Sequence, residues 1–250
     1  MYQVEHLLRE DSPKRSLASL SVDCLDGRLD KQGQALKDTY QIKLSSQKDY
    51  DFIFVSVAKG QLEDVLKSLN HLEITGSLIL ACGIWEERDE LEQELAGRDY
   101  VLGYPVAGGN LLGNQLTCCL FNHFMLESEK KSRIPNYPQL VQLFNDCYIR
   151  LENPDDMLEW IWLHMAINAG VIAVAGSSAQ TLDGRAVVEK LMDSRKLLAQ
   201  VVRSIRETLV IVEARGVNLK NYSRDLWAYR LPIWLSSRLM KRLFARNVLS

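Results

Sequence analysis

Between residues 50 and 85 the hydrophobic pattern switches from an unbroken apolar run to a helical stripe and back again. Residues 51–57, Asp-Phe-Ile-Phe-Val-Ser-Val, read as a strand buried on both faces of a parallel sheet. Residues 61–69 place apolar side chains at 62, 65, 66 and 69, one stripe of a helix. Residues 77–81, Ser-Leu-Ile-Leu-Ala, give a second buried strand that ends at Cys82-Gly83. Strands alternating with helices at this spacing predict βαβ units and an open α/β sheet. Ligands of such sheets bind beyond the carboxyl ends of the strands. Attention therefore falls on the turns at 58–60 and 82–85.

The same pattern extends along the chain. Residues 3–9 read as a short strand that Asp11-Ser-Pro13 breaks, and 17–44 as irregular structure with short strands and turns at Asp26-Gly27 and Gln32-Gly33. A charged amphipathic helix covers 86–95 and closes at Gly97. A strand at 100–104 runs into the segment Pro105-Val-Ala-Gly-Gly-Asn110, and another strand covers 116–126. Residues 130–138, with charge, Ser, Asn and two prolines, mark the expected domain boundary. Beyond it helices dominate, apart from a short strand at 148–151. A helix starts at 137, and Pro154-Asp-Asp156 opens another that is apolar almost all round to about 175. A long amphipathic helix over 185–215 is closed by Gly216, and Pro232 interrupts the Trp- and Arg-rich end. The expected organisation is an α/β sheet domain over 1–133 and an all-helical domain over 134–250.

Composition narrows the function classes. An apolar share of 47% and a charged share of 25% are those of an ordinary globular protein with a full core. The formal charge of −2 supplies no basic footprint for nucleic acid or an anionic membrane. The five cysteines are odd in number and form no CxxC pair, so reduced thiols in a cytoplasmic protein are expected rather than zinc or disulfides. The four histidines form no HxxxH pair, and no metal site is expected. The start of the chain lacks the apolar region of a signal peptide. The apolar stretch at 160–175 carries His164 and Asn168, and is read as a buried helix rather than a membrane span.

Three segments carry a resemblance. They are the strand, turn and Gln-Leu-x-x-Val-Leu helix at 51–69, the segment Gly103-Tyr-Pro-Val-Ala-Gly-Gly109, and Trp162-Leu-His-Met-Ala-Ile-Asn168. In order and spacing they resemble the ketopantoate reductase (2-dehydropantoate 2-reductase) family over residues 1–219. The resemblance implies a Rossmann-like N-terminal domain, a helical C-terminal domain, and NADPH-dependent reduction of a small-molecule 2-keto acid to a 2-hydroxy acid. A homodimer through the helical domain is also expected. Carried over residue by residue, the cofactor-binding candidates are Arg9, Lys59, Gly83, Ala107 and Gly108. Arg9 would meet the 2′-phosphate, for which a guanidinium fork is suited. The catalytic candidates are His164 and Asn168, whose i, i+4 spacing sets them on one helix face. His164 stands where the family has its lysine proton donor.

The departures matter as much. The family's opening strand and its Gly-x-Gly-x-x-Gly turn have no counterpart, so the chain reads as beginning at the second strand. That absent strand would be central in the sheet, between 4–8 and 51–57. Ile172 stands for a substrate asparagine, Cys82-Gly83 for Asn-Gly, and Ala58 for a lysine, with Lys59 one place later. The substrate-binding glutamate that follows the long helix in the family has no assigned counterpart. A chain short at both ends is the expectation, and a non-catalytic relative serving as a binding or dimerisation module is the alternative.

Overall fold

The computed structural model describes residues 2–30, 32–58, 60–181 and 184–246. They fall into two compact units that divide between Met157 and Leu158.

The first unit is built on seven strands: β1 (Ser19–Asp26), β2 (Gln34–Gln41), β3 (Asp49–Val55), β4 (Thr75–Leu80), β5 (Tyr100–Leu112), β6 (Gln115–Leu126) and β7 (Arg150–Glu152). Their order is β2-β1-β6-β5-β4-β3, with β7 also on β6. The β3, β4 and β5 strands run parallel, as the apolar runs at 51–57 and 77–81 predict. However, β3 is not buried on both faces: only Val55 is buried and Phe54 is 44% exposed, because β3 lies at the end of the strand order. The crossovers between them are α1 (Leu62–His71) and α2 (Arg88–Leu95). Right-handed crossover places both on one face of the sheet. They bury Leu66 and Leu69, and Leu91 and Leu95, respectively. The opposite face is covered by α3 (Tyr137–Asp146), whose Tyr137, Leu140 and Phe144 pack with Ile79, Val101 and Leu126. This is the expected α/β unit, Rossmann-like in its parallel half.

Three details differ from expectation. Residues 3–9 form no strand. His6 makes one isolated bridge to Leu44, and the Glu5 carboxylate holds the segment by accepting from Ser46 N at 2.8 Å and Tyr50 OH at 2.7 Å. Lys43 completes that set, and together these donors hold the Glu5 carboxyl far below the usual carboxylate range. Among the described residues, β3 forms one edge of the sheet. Second, the region expected to be irregular is a full antiparallel hairpin, β1 with β2, paired from Ser19–Gln41 to Asp26–Gln34. Every residue of β2 is exposed, so no apolar alternation could announce it. Third, β5 does not stop at Tyr104. It continues to Leu112 and returns through Gly113-Asn114 into β6. The glycines permit this: a Cβ at Gly109 would lie 2.8 Å from the Cβ of Cys118 on the neighbouring strand.

The division at 157/158 also lies later than the 133/134 boundary read from the sequence. The charged, proline-bearing stretch there is a turn, not a linker. Arg133 N donates to Tyr100 O at 2.9 Å, and Ile134 joins the core under α3. Strand β7 then pairs with β6 through His123–Arg150, Phe124–Leu151 and Met125–Glu152.

The second unit is helical: α4 (Met157–Ser178), α5 (Gly184–Asp193), α6 (Arg195–Ala214), α7 (Ser223–Arg230) and α8 (Ile233–Arg246). The expected single helix over 185–215 is two helices. Ser194 leaves helical geometry at ψ 106°, and its hydroxyl caps α6 by accepting from Leu197 N. Gly216 closes α6 at φ 97°, and the break before α8 falls at Leu231-Pro232. Arg206 donates to the carbonyls of Tyr229 and Leu231 that α7 leaves open. Among the described helices α4 alone is long and apolar enough to cross a membrane. One of its faces packs on α6. Gly170 lets the backbones meet, since a Cβ there would lie 2.7 Å from Ile205 N. Thr208 Oγ1 donates to Ala166 O at 2.8 Å beside it.

Candidate functional site

The carboxyl side of the parallel strands is where the first unit could hold a ligand. After Val55 the chain turns through Ala58, whose N–H donates to Gln61 Oε1 at 3.3 Å. Lys59 lies outside the described residues. After β4, Ala81 N donates to Val55 O at 2.9 Å, which fixes the start of the 82–87 turn containing Gly83. Strand β4 ends at Leu80, opposite Leu102, so β5 runs on past the carboxyl ends of β3 and β4. Ala107 and Gly108 stand on that extension, paired with Leu120 and Cys119 of β6. Gly83, Ala107 and Gly108 thus lie toward the same end of the sheet. Arg9 does not follow a strand. It is 74% exposed, with Asp11 at 3.9 Å.

The electrostatics of this end are acidic. Glu63 and Asp64 occupy the first turn of α1, and Asp89 and Glu90 that of α2. Glu87 and Glu90 close a capping box, with Glu87 N donating to Glu90 Oε2 at 3.0 Å. Glu86 accepts from Trp85 N at 2.9 Å. Burial raises the Glu94 carboxyl, and the neighbouring charges of Glu86 and Glu63 raise it further. Burial also pushes the Cys82 thiol up to about 11, reinforced by Glu86 and Glu94. Acids at helix N-termini are favourable for the helices. They also occupy the positive ends that a diphosphate would seek.

In the second unit, His164 and Asn168 fall one turn apart on α4, both half-buried. The imidazole of His164 stacks on Trp160, with ring centroids 4.9 Å apart and planes 12° apart. Burial lowers its pKa, so the ring is neutral at pH 7. It can donate one N–H hydrogen bond, but it is a weaker proton reservoir than an exposed histidine. Nearby on the fold, the Arg215 guanidinium lies over the Trp162 ring at 4.0 Å, and Tyr222 OH donates to Glu159 at 2.7 Å.

Strands β3–β5 with their crossovers, the β5–β6 hairpin, β7 and then a helical unit define a topology that can be compared with known proteins. A dimeric ketopantoate reductase from Staphylococcus aureus superposes with a TM-score of 0.58 at 12% identity, covering 92% of this chain and 68% of that one. The fold is the ketopantoate reductase fold. A D-mandelate dehydrogenase in complex with NADH matches at a TM-score of 0.54 and 12% identity, covering 86% of this chain and 66% of its own. A 2-dehydropantoate 2-reductase from Geobacter metallireducens matches at 0.50 and 11%, covering 96% and 90%. This chain therefore spans about two thirds of the length of the first two proteins. No protein-family model and no curated protein sequence matches it. The expected resemblance holds at the level of fold.

The ketopantoate reductase fold implies a nicotinamide dinucleotide, and the described residues fit it only in part. The turn at Gly83 and the extension of β5 leave backbone accessible at the ligand-binding end of the sheet. The helix N-termini there, α1 and α2, carry Glu63, Asp64, Asp89 and Glu90 and do not fit a diphosphate. The acidic character was partly visible in the sequence, where 86–95 reads as a charged amphipathic helix. That the charges of Glu86 and Glu63 act on Glu94 is legible only in the fold.

Proposed function

We propose that this protein is an NADPH-dependent reductase of a small-molecule 2-keto acid, cytoplasmic and homodimeric. Likeness to ketopantoate reductases and to D-mandelate dehydrogenase supports the reaction class. The dimeric Staphylococcus aureus protein supports the assembly. The observation that carries the reading is the His164–Asn168 pair on one face of α4. The Asn168 amide can donate to a substrate carboxylate. The neutral His164 ring can donate to the keto oxygen and polarise it, while Trp160 fixes the ring plane. NADPH supplies the hydride when bound. The acids in the first turns of α1 and α2 disfavour a diphosphate directly at those helix ends.

A second reading is favoured by that acidic end: a non-catalytic relative that serves as a binding or dimerisation module. One experiment separates the two. NADPH and NADH are titrated into the chain by calorimetry, and a branched 2-keto acid is then added while the reduced nicotinamide is followed by absorbance. The reductase reading requires NADPH binding at or below millimolar concentration and turnover that falls in His164→Ala and Asn168→Ala. It also requires Arg9→Ala to weaken NADPH more than NADH. A folded chain that binds neither nucleotide leaves the second reading.

A further inference from the structure

Two of the five cysteines are brought together by strand register. Cys24 of β1 lies directly opposite Cys118 of β6 in a parallel ladder, so both side chains leave the same face of the sheet. Cys24 is only 3% exposed. Cys118 is more accessible. On its other side it faces Gly109 of β5, where no side chain crowds it. Neighbouring strands are about 4.8 Å apart, inside the Cα separation of about 4.4–6.8 Å that a disulfide spans. Cys119, one residue on, points to the opposite face beside Gly108. No group of three metal-ligating side chains exists among the described residues.

We propose that Cys24 and Cys118 form a redox-active dithiol, a site of reversible oxidation that closes a disulfide between β1 and β6. The oxidant is a peroxide or a small disulfide. With hydrogen peroxide, Cys118 sulfur attacks the O–O bond, takes one oxygen as a sulfenic acid, and water leaves. The Cys24 sulfur then attacks the Cys118 sulfur, the S–O bond breaks, and the second water departs with the Cys24 proton. The thiols lose two electrons and the peroxide gains them. Order follows from access. Cys118 meets the oxidant first, and the buried Cys24, its thiol pushed up to about 12 by burial and by Cys118, resolves it. The consequence is local. The β1–β2 hairpin joins the rest of the sheet through β1 and β6, and the bond staples it there.

The test uses the reduced, full chain. It is treated with hydrogen peroxide or oxidised glutathione, remaining thiols are alkylated, and peptides are mapped by mass spectrometry. The expected result is a cross-link between the Cys24 and Cys118 peptides that dithiothreitol reverses, with Cys82, Cys119 and Cys147 still alkylated. In Cys24→Ala, a dimedone adduct should accumulate on Cys118 several-fold over the wild-type chain. Alkylation of both Cys24 and Cys118 after oxidation, or a bond to Cys119 instead, overturns the proposal. So does irreversible overoxidation of Cys118 in the wild-type chain without a cross-link.

Discussion

Arg88→Met tests the buried charge that holds α2 to the sheet. The Glu127 side chain is 1% exposed, and that of Arg88 is 29% exposed. Arg88 Nη2 donates to Glu127 Oε1, and Arg88 Nη1 reaches Tyr100 OH at 3.1 Å. Tyr100 OH in turn donates to Glu92, which also pairs with Arg133 at 3.0 Å. Even so, burial raises the Glu127 carboxyl above its usual range, outweighing the lowering by Arg88. Without Arg88 the carboxylate must stay charged with only the distant Leu102 N–H, at 3.4 Å, or take up a proton. Removing one partner of a buried pair costs about 3–5 kcal/mol. Because Arg88 reaches solvent, the lower end applies, about 3 kcal/mol or a factor of roughly 150 in the folding equilibrium. Replacing both partners, Arg88→Met with Glu127→Leu, should recover most of that loss. The sign with pH follows from linkage. A carboxyl whose pKa is raised by folding contributes stability below its unfolded value and loses it as pH rises through the folded value. The single variant should therefore be more nearly wild-type near pH 5 than near pH 8. The assay is urea unfolding at both pH values, with hydrogen exchange of the β4, β5 and β6 amides to localise the effect. A cost below about 1 kcal/mol, or a double variant as unstable as the sum of the singles, would refute the argument.

Three further outcomes are expected. Gly170→Leu forces side-chain atoms against the backbone of Ile205 and should cost at least about 1–3 kcal/mol in the helical unit, read by thermal unfolding followed by circular dichroism. A chain ending at residue 157 should fold with dispersed amide resonances, whereas one ending at 133 should not, because it loses Tyr137, Leu140 and Phe144 from the sheet core and β7 from its ladder. His164, its pKa lowered by burial, should titrate below the ordinary histidine range in an NMR pH series; its contribution to stability is present above the unfolded value and lost as pH falls, so a normal midpoint contradicts its placement.

Those parts of the fold that bury apolar side chains were the legible parts. The runs at 51–57 and 77–81 and the stripe at 62, 65, 66 and 69 gave β3, β4 and α1 with their order. Elements held together by backbone pairing alone were not legible. Strand β2 is exposed along its whole length, so it has the composition of a loop and the hydrogen bonds of a strand. The β5–β6 hairpin was hidden by Gly108-Gly109, which reads as a loop but is where two strands approach too closely for side chains. Its turn, Gly113-Asn114, was an available signal. That the compact units divide at 157/158, later than the expected 133/134, has a related cause. Charge and proline at 130–138 mark a turn as readily as a linker, and only the core positions of α3 decide between them.

The candidate site divides along the same line. His164 and Asn168 are four residues apart on one helix, so their shared face could be read from spacing. What could not be read is that Trp160 stacks on the ring and that burial keeps it neutral. Both bear on what the ring could do under the proposed function. In the sheet unit the contrast is sharper. Gly83, Ala107 and Gly108 were assigned by resemblance, and they do lie toward the carboxyl end of the strands. Yet the character of that end is set by Glu63, Glu86 and Glu94, which come from two helices and meet only in the fold. A positive helix end attracts phosphate through about half a unit charge. Each carboxylate placed there contributes a full charge of opposite sign. The acids in the two first turns offset that attraction at α1 and α2, although Lys67 pairs with Glu63 at 2.7 Å, so the position of glycines and backbone alone does not decide nucleotide binding.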